Sequence, residues 1–299
     1  MKVSFKHRVE YAFVAVIYFI VNILPYRAAL AVGAFIAAIT HYIFRFRVEE
    51  TKRRMRIVFG DSYNEKKIDR MCWIAWRNAV FNGVEMLRVP RMTPEWTRKV
   101  YDCEVFMNHV LKQCATGKGG IIASPHTGNW DMAGVACYMY NIPIFNIAAK
   151  QKNPLVNDFF NRVRSSPGID TIERGTANMR SVLRKLKEGK VLALLPDSRM
   201  KAPDTELPLM GGKANLGKGI GFFARQADVP IFLCTSVRIG WARHRIQYLQ
   251  TITPDKSLDR EEDIQRIVRL AVEGSDKAIQ DNPEQWFWFN KRWVLDPVE

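Results

Sequence analysis

Residues 119–131 read Gly-Gly-Ile-Ile-Ala-Ser-Pro-His-Thr-Gly-Asn-Trp-Asp. Glycines at 117, 119 and 120 turn the chain into an apolar run at 121–124, which is typical of a buried strand. Residues 129–140 are predicted to be helical. A strand, a loop and a helix therefore follow one another here, and the rest of the fold is predicted around this unit.

The same alternation extends along the chain in both directions. Further strands are predicted at 143–147, 169–172, 191–195, 230–238 and 245–251. Helices are predicted at 48–89, 105–116, 153–165, 176–188, 216–227 and 260–280. Strands that alternate with helices of ten or more residues indicate an α/β fold, with a largely parallel sheet flanked by helices.

His126 lies in the loop of the first unit, at the carboxyl end of the predicted strand, where open α/β sheets place their ligands. Asn129 is suited to cap the next helix, which puts Asp131 in its first turn, where the helix dipole favours a carboxylate. Asp131 would hold one imidazole nitrogen and leave the other as a general base. A purely structural hydrogen bond is the alternative. The five histidines are scattered without an H-x-x-x-H pair, so no metal site is predicted.

Two uncharged stretches lie near the N-terminus, at residues 11–26 and 28–44, and Arg27 separates them. Each is short for a spanning helix, which needs roughly 20 apolar residues. They fit a signal peptide, a buried helical hairpin or a membrane anchor. The anchor is favoured, because the basic residues within 45–56 would lie at lipid headgroups. Residues 1–47 are therefore expected to form hydrophobic membrane-anchoring helices, and residues 48–299 the domain that follows.

The chain carries 45 Lys and Arg against 30 Asp and Glu, a net charge of +15. Such a surface attracts nucleic acid, anionic lipid headgroups and acidic carrier proteins, and charge alone does not choose among them. The anchor with its basic flank favours a membrane over nucleic acid. The five cysteines form no C-x-x-C pair, so neither a zinc knuckle nor a disulfide framework is indicated.

Four blocks of the sequence, taken in order, resemble one known family. Residues 126–131 are similar to the H-x-x-x-x-D/E motif of the bacterial lipid A late acyltransferases and their relatives, the mycobacterial phosphatidylinositol mannoside acyltransferases included. Residues 153–172 resemble the second block, whose arginine lines the acceptor pocket. Residues 194–197 resemble the third block, an acidic residue at a strand end, and residues 283–293 resemble the C-terminal tryptophan signature. With the anchor, these blocks cover nearly the whole chain.

The resemblance implies an O-acyltransferase at the cytoplasmic face of the inner membrane. His126 would take the proton of an acceptor hydroxyl that attacks the thioester of acyl carrier protein or acyl-coenzyme A, and Asp131 would support the imidazole. A lipid A precursor is the leading acceptor, with another glycolipid or a lysophospholipid as the alternative. No cofactor, metal or nucleic acid is expected. A non-catalytic basic protein that binds membranes or nucleic acid is the alternative from a different class.

Four further residues are expected to bind substrate: Arg164, Asn129, Asp197 and Lys218. Arg164 would contact a phosphate, the carrier or the oxyanion, the alternative being a solvated helix face. Asp197 is either an acid that supports the catalytic residues or a turn residue. Lys218 ends a stretch, 212–218, with the spacing of a nucleotide phosphate loop, but Gly219 stands where Ser or Thr should hold magnesium. A lipid phosphate or the carrier's phosphopantetheine suits these lysines better.

Residues 196–212 are predicted to form a loop over the site. Glu206 lies in this loop, and a pairing with His126 in the manner of some relatives is the less favoured interpretation of it. Residues 286–289 read Trp-Phe-Trp-Phe and fit either an aromatic belt at the membrane interface or buried packing. Two features depart from the family pattern. Asn290 stands where many relatives carry His, and loop 198–212 is unlike that of typical lipid A enzymes, which bears on the acceptor more than on the reaction.

Overall fold

A mostly parallel sheet of seven strands organises the chain in this computed structural model, which describes residues 3–148, 152–173 and 179–296. The strands of this sheet are β1 (Tyr101–Asp102), β2 (Gly120–Ala123), β3 (Ile144–Ala148), β4 (Asp170–Glu173), β5 (Val191–Leu194), β8 (Ile231–Gly240) and β9 (Arg243–Ile252). Strands β6 (Thr205–Leu209) and β7 (Gly212–Leu216) form a separate antiparallel hairpin.

Helices surround the sheet and precede it. The described α-helices are α1 (Phe5–Ile23), α2 (Tyr26–Ala38), α3 (Val48–Phe59), α4 (Glu65–Leu87), α5 (Pro94–Val100), α6 (Glu104–Cys114), α7 (Trp130–Met139), α8 (Pro154–Ser165), α9 (Met179–Lys187), α10 (Gly219–Ala227) and α11 (Arg260–Asp281). A π-helical turn at Ile39–Ile43 extends α2, and short 3₁₀ turns occupy Val89–Arg91 and Pro283–Gln285. The first residues of the helix predicted at 176–188 lie outside the described residues.

The strand order is β1-β9-β8-β2-β5-β3-β4. Only the β8–β9 pairing within this sheet is antiparallel, and the other pairings among its described strands are parallel. β2 lies in the middle and pairs with β5 on one side and β8 on the other. The predicted fold class, a largely parallel α/β sheet flanked by helices and preceded by an apolar helix, is confirmed.

The core lies on both faces of the sheet, because successive residues of a strand point in opposite directions. Ile121 and Ala123 of β2 belong to the cluster under α10 and α11, whereas Ile122 belongs to the cluster under α6 and α7. All four residues of β2 are buried. The strand that leads to His126 is therefore fixed by packing on both sides.

Several helices start at a residue whose side chain caps the helix N-terminus. Asn153 caps α8 with Pro154 at its first position, and Asp259 caps α11. These residue types satisfy backbone N–H groups that have no partner within the helix. The helix predicted at 48–89 is interrupted at residues 60–64, and Asn64 starts α4 afresh by accepting the Lys67 N–H at 2.9 Å.

The N-terminal helices lie against the rest of the protein. Tyr11 and Tyr18 of α1 meet the ring of Phe159 on α8 edge-on, at centroid distances of 6.1 and 5.2 Å. The break between α1 and α2 falls at Pro25, two residues before the predicted boundary, because proline has no N–H to continue a helix. Within the described residues, Tyr26–Ile43 is the helical stretch long and apolar enough to cross a membrane, and 28% of it is buried.

Candidate active site

The His126 loop lies where the sequence predicts it, between β2 and α7. Asn129 is the N-cap of α7, and its side-chain oxygen accepts the Met132 N–H at 3.1 Å. Gly128 has a φ of +55°, and a Cβ there would lie 2.4 Å from the carbonyl oxygen of Ser236. Glycine is needed in this turn because the backbone is left-handed and β8 leaves no room for a side chain.

Asp197 approaches His126 from the neighbouring strand. β2 and β5 run parallel with Ala123 beside Leu194, and His126 and Asp197 each follow their strand by the same number of residues. Oδ1 of Asp197 lies 2.6 Å from Nδ1 of His126, and Oδ2 accepts the His126 backbone N–H at 2.8 Å. One carboxylate therefore holds both the ring and the main chain of His126, and Nε2 is left for another partner.

The C-terminal tryptophan segment encloses this carboxylate. Trp286 donates its indole N–H to Oδ2 of Asp197 at 2.8 Å, and the Asp197 side chain is 1% exposed. The Phe287 N–H donates to the His126 carbonyl at 3.0 Å. Trp286 and Trp288 are both buried. Of the two interpretations of this segment, buried packing agrees with the structure, and the aromatic belt does not.

The surrounding carboxylates set the charge state of the imidazole. Burial alone would lower the pKa of His126, but Asp197, with a smaller contribution from Asp131, raises it above its ordinary value. Burial alone would raise the pKa of Asp197, but His126 and the N–H donors hold it below its ordinary value. An ionised carboxylate therefore supports an imidazole that is a stronger base than free histidine.

Asp131 does not make the contact expected of it. Its carboxylate faces Arg164 at the end of α8, with 3.7 Å between Oδ1 and Nε, and both side chains are partly exposed. Nε of Arg164 is buried and has no hydrogen-bond partner among the described residues. The expected His126–Asp131 hydrogen bond is thus corrected to His126–Asp197, because the β2–β5 pairing brings a second carboxylate directly onto the ring.

The other residues considered for the site, Asn129, Lys218 and Glu206, contact protein groups away from the imidazole. Asn129 is 1% exposed, and both ends of its side chain are bonded inside the protein, so the structure does not support contact with substrate. Nζ of Lys218 lies 2.6 Å from Oε1 of Glu261. Residues 212–216 form β7 and not a phosphate loop. Glu206 pairs with Lys213 across the β6–β7 hairpin at 2.8 Å, so the less favoured interpretation, a pairing with the imidazole, does not agree with the structure.

Sequence reasoning missed a buried pair behind the loop. Glu85 of α4 and Arg238 of β8 are joined by two hydrogen bonds of 2.8 and 2.6 Å, and Glu85 also accepts from Asn129 at 2.7 Å. A signal was available, because Glu85 continues the buried stripe of α4 at helical spacing from residues such as Ile68 and Cys72. A carboxylate in the middle of such a stripe requires a partner.

A narrow apolar cavity of about 40 Å³ lies beside the loop. Trp130, whose ring centroid is 5.0 Å from that of His126, forms part of its wall. Ala133, Gly134 and Cys137 of α7 continue the wall. Trp130 therefore separates the imidazole from the cavity, which runs along α7 between this helix and the sheet. Among the described residues, no group of three or more His, Cys, Asp and Glu is arranged to hold a metal ion.

Comparison with known proteins identifies related chains. The family model of bacterial lipid A biosynthesis acyltransferases matches residues 1–294. The phosphatidylinositol mannoside acyltransferase of Mycolicibacterium smegmatis is 22% identical over 219 residues, which cover 71% of this chain and 68% of that protein. The enzyme of the same name from Mycobacterium tuberculosis is 20% identical over 221 residues, covering 72% and 67%.

One solved structure is also similar. The crystal structure of the 1-acyl-sn-glycerophosphate acyltransferase from Thermotoga maritima aligns with 94% of this chain and 99% of that chain, at 14% identity and a TM-score of 0.40.

Proposed function

Because the chain belongs to the bacterial lipid A biosynthesis acyltransferase family, we propose that it transfers a fatty acyl group from a carrier thioester to a hydroxyl of a membrane lipid, with His126 as the general base. The observation that carries this proposal is the hydrogen bond of 2.6 Å between Nδ1 of His126 and the buried Asp197. A buried carboxylate on Nδ1, with Nε2 left without a hydrogen-bond partner among the described residues, is the arrangement that general base catalysis needs.

The proposed reaction is a direct transfer. Nε2 of His126 takes the proton of the acceptor hydroxyl as its oxygen attacks the thioester carbonyl carbon. The tetrahedral intermediate collapses, the carbon–sulfur bond breaks, and the departing thiolate receives the proton from His126. Asp197 holds the proton on Nδ1, which keeps Nε2 free as a base and stabilises the imidazolium between the two steps. The 23% exposure of the His126 side chain leaves room for this contact.

Arg164 and Asp131 are proposed to bind the polar part of a substrate. Nε of Arg164, which has no hydrogen-bond partner among the described residues, would supply a donor for a phosphate or for the oxyanion. Asp131 lies close enough to orient this guanidinium and to add negative charge near His126. Asp131 therefore supports catalysis by orienting Arg164 and by the electrostatic effect of its charge on His126. Its replacement should lower the rate less than replacement of Asp197 does.

The apolar cavity along α7 is proposed to receive the acyl chain. Trp130 separates it from His126, and it is lined mainly by apolar side chains. A chain entering it would place its thioester carbonyl near the loop, while the carrier remains outside.

Replacement of Gly134 by Leu should shorten the acyl chain that the protein accepts. A Cβ at this position meets no atom within 4 Å, and the longer leucine side chain would fill the cavity. We expect the rate with long-chain donors to fall by about tenfold or more relative to the rate with butyryl donors, since each misplaced methylene costs on the order of 10-fold in such a pocket. Competition between donors of different length measures this ratio. Gly134→Ala is the matched control and should keep the wild-type preference, and an unchanged preference in Gly134→Leu would place the acyl chain elsewhere.

The acceptor is proposed to be a lipid A precursor, with another glycolipid second and a lysophospholipid third. The family description supports the first, and the names of the mycobacterial relatives support the second. Acyl carrier protein is the preferred donor and acyl-coenzyme A the alternative, because the net charge of +15 suits an acidic protein partner.

Attachment to the cytoplasmic face of the inner membrane is proposed through residues 1–47, with residues 48–299 as the catalytic domain. The exposed side of α1 presents Phe5, Val9 and Phe13, and Ile43 and Phe44 are exposed after α2. Arg45 and, in α3, Arg53 and Arg56 follow directly and are exposed, so they would meet anionic headgroups, whereas Arg54 is buried. No nucleic-acid partner is proposed.

Thiol release tests the proposed reaction. Purified protein is mixed with acyl carrier protein or coenzyme A bearing the same acyl chain, with and without membrane lipids, and the free thiol is followed with a chromogenic reagent. We expect thiol release to require the lipid and to be faster with the carrier protein. Release that is equally fast without lipid would indicate a thioesterase, and no release with any donor would reject acyl transfer.

A further inference from the structure

A buried group of charged residues lies behind the His126 loop and takes no direct part in the proposed reaction. Glu85 is completely buried, as is His244, and Arg238 is 7% exposed. Nε2 of His244 lies 3.1 Å from Oε1 of Glu85, and the Tyr26 hydroxyl donates to the same oxygen at 2.5 Å. Burying such a pair is costly, and apolar residues of similar size are often at least as stable. Stability alone therefore does not explain why these charged residues are buried behind the loop.

Its hydrogen bonds lead to the backbone that follows His126. Oε2 of Glu85 accepts from Asn129 at 2.7 Å, which orients the side chain that caps α7. Asn82, one turn earlier on α4, donates to the Gly128 carbonyl and accepts from Nη2 of Arg238 at 3.1 Å. Two side chains of α4 therefore hold this part of the loop: Asn82 bonds to the Gly128 carbonyl, and Glu85 bonds to the Asn129 side chain.

Arg238 connects the cluster to the segment on the other side of the loop. Its backbone N–H donates to the side-chain oxygen of Gln285 at 3.0 Å. The Gln285 carbonyl in turn accepts the Gly128 N–H at 2.9 Å, next to the bond between Phe287 and His126. The charged side chains therefore reach the loop through α4, and the main chain of β8 at Arg238 reaches it separately through Gln285.

We propose that Glu85 and Arg238 are positioning residues that fix the Gly128–Asn129 peptide and thereby hold the His126 ring in register with Asp197 and the acceptor hydroxyl. The inference rests on the acyl transfer proposed above. Burial alone would raise the pKa of Glu85, but Arg238 and His244 hold it below its ordinary value, so Glu85 is ionised at neutral pH. The pair acts as a permanent brace and not as a pH switch.

Glu85→Gln is the first variant of the test. One carboxylate oxygen becomes an amide NH2 group, which donates hydrogen bonds and accepts none, so the N–H donors of Arg238 and Asn129 that faced this oxygen must turn away. Glu85→Gln also leaves Arg238 with a buried charge and lowers the melting temperature. The double variant Glu85→Gln with Arg238→Gln removes both charges and separates stability from positioning, because it restores neutrality without restoring the bonds to the loop.

Asp263→Asn is the matched control. Asp263 is also completely buried and pairs with Arg225 at 3.2 Å and with Arg266 at 2.6 Å, but it lies at the start of α11 and does not bond to the loop. The melting temperature of Asp263→Asn should fall, as that of Glu85→Gln does, and its kcat should stay at the wild-type value. Three quantities are measured for each protein: melting temperature, kcat and KM, and the pH dependence of His126 carbethoxylation by peptide mass spectrometry.

For Glu85→Gln and for the double variant we expect kcat to fall by about 10²-fold with KM nearly unchanged, since a displacement of about 1 Å has that effect. The carbethoxylation pKa of His126 should also fall toward its ordinary value as the bond to Asp197 loosens. A double variant that recovers both melting temperature and kcat would overturn the proposal, as would an equal loss of kcat in Asp263→Asn. The carbethoxylation needs no acyl transfer, so it tests the brace even if the proposed function fails.

Discussion

His126→Ala is expected to lower the rate of acyl transfer by about 10³-fold or more, because it removes the only base that the structure offers to the acceptor hydroxyl in this loop. Donor binding should be nearly unchanged, since the apolar cavity along α7 and Arg164 remain in place. Single-turnover transfer of a labelled acyl group gives the rate, and the donor dissociation constant is measured separately.

His109→Ala is the control for this variant. His109 stacks on Tyr248 with ring centroids 4.0 Å apart, on α6 and β9, so its loss removes a histidine without touching the loop. It should retain nearly the wild-type rate. If His126→Ala kept more than about a tenth of the wild-type rate, general base catalysis by this residue would be rejected, because such catalysis contributes at least about 10²-fold.

Asp197→Asn is expected to be the second most damaging change, lowering the rate by about 10²- to 10³-fold. The amide can no longer accept from the imidazole, from the His126 backbone and from Trp286 together, so the proton on Nδ1 is no longer fixed. Asp131→Asn should cost only about 10-fold, because its carboxylate faces Arg164 at 3.7 Å. Steady-state kinetics of both variants, with melting temperatures to check folding, measure the difference.

The pH dependence gives the same variants a second readout. A general base works in its neutral form, so the wild-type rate should rise with pH through the pKa of His126, which lies above its ordinary value. Asp197→Asn removes the negative charge that favours the imidazolium, and its rising limb should move to lower pH. If the rate rose over the same pH range in wild type and in Asp197→Asn, the His126–Asp197 pair would be contradicted. A larger loss of rate in Asp131→Asn than in Asp197→Asn would contradict it as well.

The position of His126 could be predicted from sequence because the signals that fix it are local. The glycines before β2, the apolar run and the Asn129 cap all lie within the same short stretch and all agree. The same is true of the alternation of strands and helices that gives the fold class. Local patterns of this kind do not depend on what the remainder of the chain does.

The partner of His126 could not be predicted in the same way. Asp197 lies 71 residues away in sequence, and it reaches the imidazole only because β5 pairs with β2 inside the sheet. Chain order alone suggests β3 as the neighbour of β2, since β3 follows it directly. Nearness in sequence favours Asp131 as the partner, whereas the first turn of α7 directs its carboxylate toward Arg164.

The buried pair of Glu85 and Arg238 could not be predicted for a related reason. Glu85 and Arg238 are separated by 153 residues, so the buried stripe of α4 indicates that Glu85 needs a partner but does not indicate which residue it is. The predicted loop at 196–212 also proved to be partly a hairpin, β6 with β7, in which Thr205 and Glu206 pair with residues beyond its predicted end. The pairing of distant segments was therefore the main feature that the sequence left undecided, together with the local hairpin at 205–216.

Mass spectrometry of membrane lipids tests the proposed acyl transfer most directly. Membranes from the native host are incubated with a labelled acyl carrier thioester and with wild-type protein or His126→Ala. We expect a lipid heavier by one labelled acyl group, released by mild alkali as an ester should be, with wild-type protein only. The same labelled lipid formed in equal amount by His126→Ala, or no labelled lipid from folded, membrane-bound wild-type protein with any donor, would contradict acyl transfer by this histidine.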